Sequence, residues 1–188
     1  MPLKGSVFFA SAMPGKTYQP VWSEKYRVRS WDISLSKQMR LSRVFSYFQE
    51  IANQHANHLD AGYDFMQQSG YVWVLSRVFI DIRRLPLWGE EFIVETWPLG
   101  NERVFFRRDF RLTSQSNADI SAVTYWLLID IASRRPKEFD IDEAVIMHNK
   151  SHFSLNAPSI RFLAVDSDIH EIRKVKYSDI DQNRHVNN

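Results

Sequence analysis

The chain has 188 residues, enough for one or two small domains with a real core. A hydrophobic share of 44% and a charged share of 24% are ordinary for a soluble globular protein, and a net charge of +2 carries no nucleic-acid signature. The lack of cysteine excludes disulfides and a thiolate nucleophile within these residues, and no apolar run reaches the length of a membrane span.

Residues 1–20 carry Gly, Pro and Ser without a clear period and read as a loose arm. A strand is expected over Tyr26–Ile33. The clearest helix follows between Ser36 and Gly62. Leu41, Val44, Phe45, Phe48, Ile51, Ala52, His55 and Leu59 recur there at three- and four-residue steps. Ser36 is positioned to start this helix, and Gly62 to end it in a left-handed cap. His55 and His58, near its C-terminus, read as capping or surface histidines.

Four long strands come next: Tyr71–Leu85, Glu91–Pro98, Arg103–Thr113 and Ile120–Ala132. Pro86 and Gly89 separate the first pair, Gly100-Asn101 the second, and the polar run 114–119 the third. A helix followed by serial strands predicts an α+β domain with a mostly antiparallel sheet. Beyond Arg134-Arg135-Pro136-Lys137 the pattern weakens. Residues 137–168 read as a linker with one helical turn around Ile141–His148. His148 and His152 are four apart but lack the further ligands a metal site needs, so no metal and no cofactor is expected. A strand over Ile169–Tyr177 opens a second unit. The chain has no G-x-S-x-G elbow, no G-x-G-x-x-G and no P-loop, which argues against an α/β-hydrolase or a nucleotide-binding protein.

The chemistry concentrates in Tyr177–Asn188, YSDIDQNRHVNN. On an extended backbone Asp181, Asn183 and His185 share one face, because side chains alternate with period two. A carboxylate can orient or activate water, an imidazole can shuttle a proton, and an amide can hold a polarised oxygen. The bland alternative is a turn or cap segment, where Asp and Asn are common. An internal echo bears on the choice. Val28–Ile33 and Val175–Ile180 both read V-[K/R]-x-x-D-I, which puts Ser34, Ser36 and Gln38 in register with Asp181, Asn183 and His185. The echo suggests a duplicated unit whose second copy alone carries the polar triplet.

YSDIDQNRHVNN resembles the active-site segment of acyl-acyl carrier protein (acyl-ACP) thioesterases, the plant plastid enzymes and their bacterial relatives. The likeness continues through YVWVLSRVFIDIRRLPLWGEEFIVETW, FFRRDF and the Arg134-Arg135 pair, in order from about Tyr26 to Asn188. The resemblance implies a hot-dog fold, in which an antiparallel sheet wraps a long central helix. It implies two such domains in tandem, the second only begun in this chain. The first would span 21–136 and bind the acyl chain; the second would start at 169 and carry catalysis.

The resemblance further implies hydrolysis of a fatty acyl thioester on acyl carrier protein. Asp181, Asn183 and His185 match its D-x-N-x-H pattern, and a further catalytic residue is expected beyond Asn188. These 188 residues alone are therefore expected to hydrolyse weakly or not at all. Phe45, Phe48, Trp73 and Leu75 are candidates to line the acyl tunnel, with plain core as the alternative. Arg107, Arg108 and Arg111 are candidates to meet the acidic carrier protein. Self-association as a dimer, a cytoplasmic location and a role in fatty acid synthesis are expected; nucleic acid and membrane are not expected as partners. Two other readings remain open at this point. One is a non-catalytic acyl-thioester binding module; the other is a different hot-dog enzyme such as an acyl-CoA thioesterase.

Overall fold

The computed structural model describes residues 7–8, 17–141, 143–152, 155–157, 172–180 and 186. The chain divides into two units, Met1–Pro158 and Ser159–Asn188.

The first unit is built on one helix and one sheet. Helix α1 (Leu41–His58) is followed by a short α2 (Tyr63–Gln68). Strand β1 is Val7–Phe8 and β2 is Trp22–Arg27. The long strands are β3 (Tyr71–Arg84), β4 (Glu91–Glu102), β5 (Phe105–Ser114) and β6 (Asp119–Asp130). Short β7 (Pro136–Lys137), β8 (Phe139–Asp140) and α3 (Glu143–Asn149) complete it. The sheet runs β2-β4-β5-β6-β3, with β7 also on β6, and its neighbours are antiparallel. Among the described residues β3 pairs only with β6, which makes it an edge strand of this sheet. β1 and β8 form a separate parallel pair.

The period read from the sequence explains the packing. Val44, Phe48, Ile51 and Ala52 of α1 are buried against Phe92, Val94, Phe110, Leu112, Ile120 and Ala122 of the sheet. Full burial of each large side chain is worth roughly 1.5–3 kcal/mol. Phe48 stacks on Phe110 with ring centroids 4.8 Å apart. A second cluster joins Ala61, Met66, Phe106, Leu128 and Phe139, with Trp73 packed against it.

Several boundaries differ from those expected. The chain leaves β2 at Arg27, and Ser30–Asp32 forms a 3-10 turn instead of continuing the strand. α1 starts at Leu41 because Ile33 bridges Met39 and Gln38 bridges Leu87, which hold residues 34–38 in a loop. The left-handed residue after α1 is Asp60, at φ 55°, not Gly62. Gly62 has φ −71° and caps the start of α2, where a Cβ would collide with the Asn57 side chain. The β4–β5 turn falls at Arg103, φ 60°, and Gly100, φ 84°, lies at the register shift in β4. The expected linker begins as folded structure: Phe139 is buried in the second cluster, and α3 follows where the helical turn was expected. Asn149 is fully buried, with its amide donating to Pro98 O (2.9 Å) and Pro20 O (3.0 Å).

In the second unit, Ile172–Lys176 has no strand, and the part of the expected strand before Ile172 lies outside the described residues. A 3-10 turn spans Tyr177–Asp179.

Candidate functional site

The sequence echo is also a structural one. In the first copy Asp32 closes its 3-10 turn by accepting from Arg29 N at 2.8 Å, and Asp32 N donates to Arg29 O at 3.0 Å. In the second copy Asp179 accepts from Lys176 N at 3.0 Å, and Asp179 N donates to Lys176 O at 3.0 Å. Both turns are entered and left through extended residues. The next residue then makes an antiparallel bridge at the same separation in each copy: Ile33 with Met39, Ile180 with Val186. The carboxylates of Asp32 and Asp179 thus do the same local work, closing the 3-10 turn onto the backbone N–H three residues before.

Asp181, Asn183 and His185 lie outside the described residues. Their register partners are described, and they form a cluster. Ser34 Oγ and Ser36 Oγ are 2.7 Å apart, Ser34 Oγ donates to Gln38 O at 3.2 Å, and Ser36 Oγ approaches Gln38 Oε1 at 3.5 Å. The backbone there is a closed loop, with Ser34 N donating to Gln38 O (2.9 Å) and Lys37 at φ 61°. Alternate positions therefore meet in this turn because the chain folds back, not because it runs straight.

Of the candidate acyl-lining residues, Phe48 and Trp73 belong to different clusters. Phe48 is buried in the α1–sheet cluster. Trp73 belongs to the second cluster, donates to Ala61 O at 3.1 Å, and touches Phe106 and Phe139. Phe45 and Leu75 are half-buried.

The three candidate carrier-contact arginines separate. Arg107 makes a bidentate pair with the buried Asp109, at 2.9 and 3.0 Å, and donates to Leu155 O at 3.0 Å. That pairing drives its pKa further up. Arg111 is half-exposed near Asp119, at 3.9 Å. Arg108 is only 6% exposed, so contact between its guanidinium and an outside partner is corrected: the side chain points inward. Its Nη1 donates to His55 Nδ1 (3.1 Å) and Thr96 Oγ1 (3.2 Å). Burial without a carboxylate lowers the Arg108 pKa to about 10.

His55 is likewise neither a cap nor a surface residue. It is fully buried, and its Nε2–H donates to Gln19 O at 2.8 Å. That donation and acceptance from Arg108 at Nδ1 define one neutral tautomer. Desolvation, reinforced by the Arg108 charge, lowers its pKa to about 3. Sequence reasoning missed this centre, although His55 continues the stripe of Ile51 and Ala52 that it identified as core. Among the described residues, no group of three or more His, Asp or Glu could hold a metal, and no helix is long and apolar enough to cross a membrane.

A long helix wrapped by this antiparallel order of strands defines a hot-dog protein. The acyl-ACP thioesterase N-terminal domain model matches residues 19–148, and the chain belongs to the acyl-ACP thioesterase family. It is 25% identical over 183 residues to a chloroplastic palmitoyl-acyl carrier protein thioesterase of Gossypium hirsutum, covering 89% of this chain and 44% of that protein. It is also 25% identical over 189 residues to oleoyl-acyl carrier protein thioesterase 1 of Arabidopsis thaliana, covering 89% and 51%. The chain thus spans about half the length of the curated relatives it matches. In fold it is similar to an acyl-ACP thioesterase from Bacteroides thetaiotaomicron, with TM-score 0.77 and 24% identity over 89% of this chain and 69% of that one. It is also similar to the 12:0-ACP thioesterase from Umbellularia californica, with TM-score 0.63 and 21% identity over 92% and 72%.

Proposed function

We propose that this chain is part of an enzyme that hydrolyses the thioester of fatty acyl-ACP, with its first unit as the acyl-binding hot-dog domain. The observation that carries the reading is the repeated turn. In the first copy, the register partners of Asp181, Asn183 and His185 stand within hydrogen-bond reach of one another. A loop of that kind would gather a carboxylate, an amide and an imidazole around one reacting carbonyl.

The chemistry asked of them is simple. Water adds to the thioester carbonyl as a base takes its proton. The oxyanion is held by a hydrogen-bond donor, and the carbon–sulfur bond breaks to give the acid and a protonated thiol. In this reading His185 moves the proton or polarises the carbonyl, Asn183 positions the thioester or a catalytic partner, and Asp181 orients a partner or helps activate water. As an edge strand among the described residues, β3 would be the place for a second hot-dog unit or a second copy of the chain to extend the sheet.

The test is thiol release from a C8 to C18 acyl-ACP series. The 188-residue chain is compared with the same chain joined to the remaining C-terminal half of one of the curated relatives. Release by the joined chain, abolished by His185→Ala, is the expected result. Release that survives His185→Ala overturns the catalytic assignment. Binding of acyl-ACP without any release by the joined chain would instead mark an acyl-thioester binding module.

A further inference from the structure

The corner of the first unit where residues 28–40 meet residues 86–90 is unlike the rest of its surface. Two tryptophans stand in solvent there, Trp31 at 63% and Trp88 at 55% exposure, and Leu35 and Leu87 are exposed as well. Backbone bonds make this one surface: Gln38 bridges Leu87, Trp88 N donates to Lys37 O at 2.9 Å, and Met39 N donates to Pro86 O at 2.9 Å. The exposed charges among these residues are all basic, Arg29 and Lys37 among them. The acidic side chains are turned away and satisfied. Asp32 is buried under its own turn, and Glu90 is paired with Arg84 at 3.0 and 3.1 Å. Arg29 also lines an open cleft of about 380 Å³ with Tyr26, Tyr47, Lys25, Arg27 and Glu91, the one carboxylate there, which Lys25 pairs at 2.7 Å.

We propose that this corner docks an acidic protein, and, resting on the function proposed above, that this protein is the acyl carrier. Exposed Trp within a basic rim is the composition of an interface core looking for a negative partner. Two-fold pairing with another copy of this chain would set Arg29 and Lys37 against their own counterparts, a like-charge contact that opposes self-association. Arg107 and Arg108, by contrast, are engaged inside the unit, Arg107 with Asp109 and Arg108 with His55.

The test measures the Kd of the whole chain for acyl-ACP by titration calorimetry at several salt concentrations. It compares wild type, Arg29→Glu with Lys37→Glu, Trp31→Ser with Trp88→Ser, and Arg111→Glu, all checked for folding by thermal unfolding. Binding at least tenfold weaker in the first two variants, a shallower salt dependence in the charge variant and an unchanged Arg111→Glu are expected. Wild-type affinity in both corner variants overturns the site, as does loss confined to Arg111→Glu. A dimer dissolved by the tryptophan changes, or equal wild-type affinity for anionic vesicles, also overturns it. If wild type itself binds no acyl carrier, the functional reading above fails with it; if wild type binds and the corner variants do too, only the docking surface fails.

Discussion

The neutral, buried His55 makes the stability of the first unit fall with pH in a way that can be assigned to one residue. In the folded state its pKa is lowered to about 3, by burial first and the Arg108 charge second. In the unfolded chain it returns to about 6.5. The unfolded state therefore binds the extra proton between these values, and stability is lost as pH falls below the unfolded pKa. Integrating that linkage from pH 8 to pH 5 gives a loss of about 2 kcal/mol from this group alone. For a unit of this size the loss is about 4 to 8 °C in melting temperature. The assay is thermal or urea unfolding at pH 8 and pH 5 for wild type and His55→Gln, whose amide does not titrate yet can still accept from Arg108. Wild type should lose about 2 kcal/mol more than the variant over that range. Equal losses would refute the buried neutral imidazole, whatever other groups contribute to both.

Other consequences are equally direct. Arg108→Met removes the cation next to His55, and the His55 pKa should rise, read by NMR titration of the ring protons. Phe48→Ala removes a ring stacked on Phe110 and should cost about 3–5 kcal/mol in urea unfolding. Asp109→Ala strips the bidentate partner from Arg107 but leaves Glu102 at 3.3 Å, and should cost about 1–3 kcal/mol in the same assay. Tyr47 is held at a pKa of about 12 by burial and by its hydrogen bond to Asp32 (2.9 Å). Asp32→Asn should bring it down toward the ordinary phenol value in an ultraviolet titration.

Periodicity made the long elements legible. The three- and four-residue steps of Val44, Phe48, Ile51 and Ala52 are the buried stripe of α1, and the four long strands were found to within a few residues at each end. The missed features are those that depend on partners distant in sequence. The start of α1 is fixed by a bridge from Gln38 to Leu87, which no local pattern at Ser36 reveals. Phe139 belongs to the core because Trp73 and Phe106 pack on it, although its neighbours in sequence look like a linker. His55 was misjudged because its position in the last turn suggested a dipole contact. The apolar residues three and four places before it were the better guide, since they set the face it lies on. Arg108 alternates correctly out of phase with Arg107 and Arg111, but only the folded sheet shows that its side faces the helix.

The duplicated turn separates what a scaffold supplies from what chemistry requires. In the first copy, Ser34, Ser36 and Gln38 are neutral and bonded among themselves, so the loop carries no group that titrates near neutral pH. In the second, the sequence sets an Asp, an Asn and a His at the same register behind the same turn. If that turn positions the triplet, Asp179 is its anchor without touching substrate, as Asp32 anchors the first loop through Arg29 N. Asp179→Ala, made in the chain joined to a second hot-dog half, should then lower kcat at least tenfold while leaving KM for acyl-ACP within twofold. The matched Asp32→Ala should instead destabilise the first unit by about 1–3 kcal/mol, through loss of a buried acceptor serving Arg29 N and Tyr47. An Asp179→Ala enzyme with wild-type kcat would show that the second loop is held by something other than its turn. The structural repeat would then be no guide to the arrangement of Asp181, Asn183 and His185.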